Sequence, residues 1–110
     1  MSNKKLPSDF EYLEDMYRQE YFPDFLVDKV RDAIKEVVGF IEERDHSAGE
    51  IQTALDEMVF KINELQDEFY ENDSEIETVA RESIGETVDN ILKYFGIEID
   101  IEEALRERDW

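Results

Sequence analysis

The chain has 110 residues, no cysteine and a formal net charge of −19, with 31 acidic residues against 12 basic ones. That length suits one domain with one modest core, expected to span residues 1–110. The charge disfavours direct contact with nucleic-acid backbones or anionic lipid and favours basic surfaces, while the missing cysteine excludes disulfides, thiolate zinc sites and a cysteine nucleophile.

The first eight residues carry Lys4 and Lys5 with no apolar run behind them, so no secretory signal is expected. The absence of cysteine suits a reducing cytoplasm, the expected compartment. No stretch approaches the ~18 apolar residues of a membrane span. Residues 1–7 read as a flexible tail.

A helix-start signature then recurs along the chain. Ser8, Ser47 and Ser74 are each followed three residues later by a glutamate (Glu11, Glu50, Glu77), and Asp100 is followed by Glu103. In this arrangement the first side chain accepts from an exposed backbone N–H, and the glutamate reaches back to do the same. A first helix is expected over residues 9–19, with Phe10, Leu13, Met16 and Tyr17 on its apolar side. Pro23 suits the first turn of a second helix, since its missing N–H is not needed there. That helix is expected over 23–44, with Leu26 or Val27, Val30, Ile34, Val37 and Ile41 as its stripe. Gly39 lies inside it, and close packing against a neighbouring helix is the expected reason.

A third helix is expected over 48–70. Ile51, Leu55, Met58, Ile62, Leu65 and Phe69 repeat at alternating steps of four and three, which is a heptad seam. A fourth is expected over 75–95, with Ile76, Ala80, Ile84, Val88, Ile91 and Phe95 facing inward and Gly96 ending it in a left-handed turn. A short helix over 101–106 precedes Trp110. The reading is all-α: an up-and-down bundle of three long helices, with an N-terminal helix and a short C-terminal helix laid across it.

Function is less legible. His46 is the one histidine and sits in a polar link, where a lone histidine is seldom a base or ligand. Without a second histidine or a cysteine, transition-metal sites lack donors. Acidic pairs three residues apart, Glu64 with Asp67 and Glu68 with Glu71, have the spacing of a magnesium site, but they lie off the seam. Glu82, Glu86 and Asp89 flank the fourth stripe and are the candidates for an inward-facing carboxylate metal site. Asp73 to Glu75 lacks the acid ladder and glycine of a calcium loop. No glycine-rich phosphate loop, serine elbow or basic patch appears.

The charge is unevenly spread. Residues 1–41 hold six bases and nine acids; residues 42–110 hold six bases and 22 acids. The expectation that follows is a non-enzymatic acidic binder of a basic protein surface, of the inhibitor or immunity type, with Glu64, Asp67, Glu68, Glu71 and Glu75 as partner-binding residues and no cofactor. The alternatives are a carboxylate-metal hydrolase acting on a small phosphorylated substrate and a structural or dimerisation module. The aromatic group Phe10, Tyr12, Tyr17, Tyr21, Phe22 and Phe25 is expected mainly in the core. Arg81 is expected to pair with Glu77 or with the end of the chain.

The stretches YLEDMY at 12–17 and YFPDFLVDKV at 21–30, SEIETVARESI at 74–84, YFG at 94–96 and RDW at 108–110 resemble those of a small bacterial domain family of unknown function. The resemblance spans nearly the whole chain and is weakest over 42–64. It implies a bacterial cytoplasmic domain and carries over no catalytic residue.

Overall fold

The computed structural model describes residues 4–110. Five α-helices and no strand occur among them: α1 Glu14–Tyr17, α2 Asp24–Glu43, α3 Ala48–Glu71, α4 Thr78–Tyr94 and α5 Ile101–Ala104. The three long helices carry the expected stripes. Leu26, Val27, Val30, Ile34 and Val37 of α2 are buried, as are Ile51, Leu55, Met58, Ile62 and Phe69 of α3 and Ala80, Ile84, Val88 and Ile91 of α4. One continuous core results, in a body of 46 × 28 × 18 Å.

The helices α2 and α3 form an antiparallel hairpin. Lys29 of α2 pairs with Glu68 of α3 at 2.6 Å, and seven residues further along α2, Glu36 pairs with Lys61, seven residues earlier on α3. The corner is built as its sequence indicates. The Ser47 hydroxyl accepts from the Glu50 N–H at 3.1 Å and the Glu50 carboxylate accepts from the Ser47 N–H at 3.0 Å. Both orphan donors are thereby satisfied.

The fourth helix is joined to this hairpin by the two terminal segments. Residues 4–17 lie between α2 and α4: the Leu6 N–H donates to Glu42 of α2 and the Leu13 N–H to the Thr87 hydroxyl of α4. On the other side, the stretch from α5 to Trp110 lies between α4 and α3. Gln52, Asn63 and Gln66 of α3 donate to the Glu103 carbonyl, the Glu107 carbonyl and the Asp109 carboxylate. Arg106 grips Asp56 of α3 through two nitrogens, at 2.8 and 3.3 Å. A three-helix bundle thus has two of its three grooves filled by its own ends.

This arrangement corrects several expectations. The first helix shrinks to one turn, because the segment must follow the α2–α4 groove. Leu13 turns left-handed there (φ 54°) and ends any helix on its N-terminal side. Ser8 caps nothing; the Phe10 N–H bonds back to the Pro7 carbonyl in a turn. Of the tail expected over 1–7, residues 1–3 lie outside the described residues. In the remainder, Lys4 donates to the Tyr94 carbonyl at 2.7 Å and the Lys5 carbonyl accepts from the Tyr94 hydroxyl at 2.9 Å.

Helix α4 starts three residues later than expected. Ser74 is taken up by the end of α3, where its N–H bonds the Phe69 carbonyl at 2.8 Å and the Asp73 N–H bonds that of Tyr70. This Schellman pattern places Asp73 in the left-handed region (φ 58°) and buries Ser74, so Glu77 becomes the cap of α4 and accepts from the Val79 N–H. Gly96 closes α4 through the same pattern (φ 69°), with Gly96 and Ile97 N–H groups on the Lys93 and Leu92 carbonyls. The last helix also ends early, at Ala104, with Asp100 accepting from the Glu102 N–H. Close packing does not explain Gly39: it is exposed, and a Cβ there would meet nothing within 4 Å.

Candidate functional site

The 3.6-residue turn divides α3 into four faces. The seam faces the core. One flank, with Gln52, Asp56, Asn63 and Gln66, is consumed by the C-terminal segment. The opposite flank, with Lys61 and Glu68, meets α2. The fourth face is left to solvent: Glu57, Phe60, Glu64, Asp67 and Glu71 follow one another at steps of three or four, and all are exposed. The face runs about 21 Å along the helix at 1.5 Å per residue.

None of those four acids has a basic partner within 4 Å among the described residues. Phe60 keeps 49 % of its surface exposed in the middle of them. Of the partner-binding residues expected from the sequence, Glu64, Asp67 and Glu71 therefore share one face. Glu68 does not; it is drawn around the helix to Lys29. Glu75 is exposed in the link beyond Asp73, off the helix. Sequence reasoning missed Glu57 and Phe60. Both lie at helical spacing from Glu64, seven and four residues earlier, and that signal was present.

The α4 carboxylates do not point inward. Ser83, Ile84, Thr87 and Val88 take the buried positions, leaving Glu82 and Glu86 exposed. Asp89 is half-buried and pairs with Lys93 at 3.0 Å. These three acids line a shallow surface depression shared with Arg81, Arg108 and Glu102. Among the described residues no group of three or more His, Asp or Glu side chains converges as metal ligands would. Among the described residues Arg81 forms no ion pair, and it donates to the Thr78 hydroxyl at 3.2 Å.

His46 is a corner piece. Its side chain is 1 % exposed and its ring stacks on Phe40 with centroids 3.7 Å apart. Its Nε2 lies 2.9 Å from the Phe40 carbonyl, one of the unpaired carbonyls that end α2, and its Nδ1 lies 3.3 Å from Glu50. The Ser47 N–H and then His46 hold the Glu50 carboxyl below its ordinary range. The aromatic group is divided by the fold. Phe22 is buried, Phe10, Tyr12 and Tyr17 are half-buried, and Tyr21 and Phe25 are exposed. Trp110 packs partly against the core, with the Arg108 guanidinium 5.8 Å from its ring.

A protein-family model described as a family of unknown function (DUF5713) matches residues 7–110. No curated protein and no solved structure matches the chain.

Proposed function

We propose that this chain, which belongs to the DUF5713 family of unknown function, is a non-enzymatic binding protein that captures a basic protein surface on the outward face of α3. The observation that carries this reading is the row of four unpaired acids, Glu57, Glu64, Asp67 and Glu71, around the half-exposed ring of Phe60. The two parts do different work. Uncompensated charge of one sign raises the encounter rate with an oppositely charged partner and penalises acidic competitors. The aromatic ring supplies apolar area to bury, on the order of 1 kcal/mol for its exposed half, and aromatic side chains are favoured anchors at interface centres.

Compensation elsewhere sharpens the assignment. Where α3 meets its own chain its acids have partners, as Asp56 has Arg106 and Glu68 has Lys29. Along α3, the acids left without a basic partner among the described residues are those of the outward face.

The test is affinity capture at about 50 and about 300 mM salt, using the chain and a variant with Glu57→Gln, Glu64→Gln, Asp67→Asn and Glu71→Gln. Basic partners should be held at low salt, released at high salt as screening shortens the reach of the charges, and lost with the variant. Phe60→Ala should weaken capture without changing its salt dependence. Partners retained equally by the variant and at both salts would overturn the reading.

A further inference from the structure

Phe60 is flanked on the outward face of α3 by Glu57, three residues earlier, and Glu64, four residues later, and all three side chains are exposed. On a helix these positions are neighbours of the ring, about 5–6 Å away between Cβ atoms. At about 100° per residue both carboxylates fall on the same side of Phe60, the side of Lys61 and α2. Ring and acids therefore form a triangle. Neither acid has a basic partner within 4 Å among the described residues.

The ring is as free as the acids. Elsewhere the chain lays its own cations over its rings. Lys4 lies 4.3 Å from the ring centroid of Tyr94, Lys35 5.5 Å from that of Tyr12, Lys29 6.0 Å from that of Phe25 and Arg108 5.8 Å from that of Trp110. Among the described residues no such cation lies over Phe60. Lys61, next in sequence, is turned to Glu36 of α2. Tyr70 is the other exposed ring of α3, but it lies four residues beyond Gln66, on the flank that the C-terminal segment follows.

We propose that Phe60, Glu57 and Glu64 receive one arginine side chain of the partner protein, its guanidinium stacked on the ring and its edge N–H groups donated to the two carboxylates. The inference rests on the binding-protein reading and names the group that the partner places at the centre of that face. A guanidinium is flat and more weakly hydrated than an ammonium, so it stacks on a ring with less loss of hydration. Its five N–H donors form a rigid fork, so one group can serve acids on both neighbouring turns. The two carboxylates are rooted about 10 Å apart along the axis, and the wider guanidinium bridges more of that gap than an ammonium does. An apolar anchor would strip water from both acids and return no hydrogen bond.

The probes are two peptides of about seven residues, one alternating arginine with serine and the other lysine with serine, each long enough when extended to cover the face. Binding to the whole chain is read by fluorescence anisotropy at low salt, and the peptide side-chain protons by nuclear magnetic resonance. The arginine peptide should bind about fivefold more tightly than the lysine peptide. Its side-chain protons should move upfield, as protons held over an aromatic ring do. Phe60→Leu keeps apolar area and removes the ring, and should abolish both the preference and the upfield shift. Glu57→Gln with Glu64→Gln should lower the preference at least about twofold by removing the acceptors of the fork. Tyr70→Leu, and separately Asp67→Asn with Glu71→Gln, should leave the ratio of the two affinities unchanged.

Equal binding of both peptides, weakened by salt, would overturn the arginine assignment while leaving the acidic-binder reading in place. An arginine preference that survives Phe60→Leu, or that Tyr70→Leu removes, would place the guanidinium elsewhere and overturn it too. No binding of either peptide at low salt would overturn both readings.

Discussion

Leu13 and Asp73 both occupy the left-handed region that L-residues avoid at about 1–2 kcal/mol each. Leu13 is fully buried, and deleting a buried leucine side chain costs about 2–5 kcal/mol. Burial is the larger quantity, so Leu13→Gly should destabilise the fold despite relieving the backbone. Asp73 is exposed, and it adds a negative charge at the negative end of the α3 dipole. Asp73→Gly should therefore stabilise the protein by about 1 kcal/mol in denaturant melts; an unchanged midpoint would mean that the aspartate makes a compensating local bond. Tyr17 offers a pH-dependent test. Burial first, and then the hydrogen bond it donates to Asp28, raise its hydroxyl pKa from 10.0 to about 12. The folded chain thus holds this proton more tightly than the unfolded one. Its stabilising contribution is complete below pH 10 and is lost as pH rises from 10 to about 12. The alkaline loss of stability should be smaller in Tyr17→Phe, as read by circular dichroism across that window.

Among the elements, α3 was the most legible and α1 the least. The Ser47 cap and the heptad seam appear as expected because both depend on residues within four positions of one another. Ser47→Ala should cost about 1 kcal/mol. The cap signatures at Ser8 and Ser74 are equally good as sequence patterns and do not form. Ser8 belongs to a segment shaped by a groove between two distant helices, and Ser74 is claimed by the helix that precedes it. Local propensity is worth about 1 kcal/mol per cap, less than the burial of the apolar groups that hold those segments elsewhere. The exposed Gly39 is an element-scale weakness with no packing reason. Gly39→Ala should stabilise α2 by about 1 kcal/mol in thermal melts, since the added methyl meets nothing.

At the scale of the whole molecule the excess charge is a destabilising field. Many acids of the later helices lack a basic partner among the described residues, so like charges repel across the folded surface. Raising salt from about 20 to about 200 mM should lift the melting temperature by a few degrees, because screening weakens that repulsion more than it weakens the few close pairs. A melting point that falls with salt would mean that the ion pairs outweigh the repulsion. The candidate face was half legible for the same reason that the charge was. Glu64, Asp67 and Glu71 follow from helical spacing, whereas the exclusion of Glu68 depends on Lys29, 39 positions away.

The amino-acid order by itself determined the all-α class, the three long helices and their buried stripes, and the net negative charge, because helical period and side-chain ionisation are local properties. Only the tertiary structure decided that the chain's two ends fill the grooves on either side of α4 while α2 and α3 pack directly on each other. It alone also decided which carboxylates meet a cation and which face water. Those outcomes are set by how helices far apart in sequence come together, and no window of neighbouring residues encodes that distance.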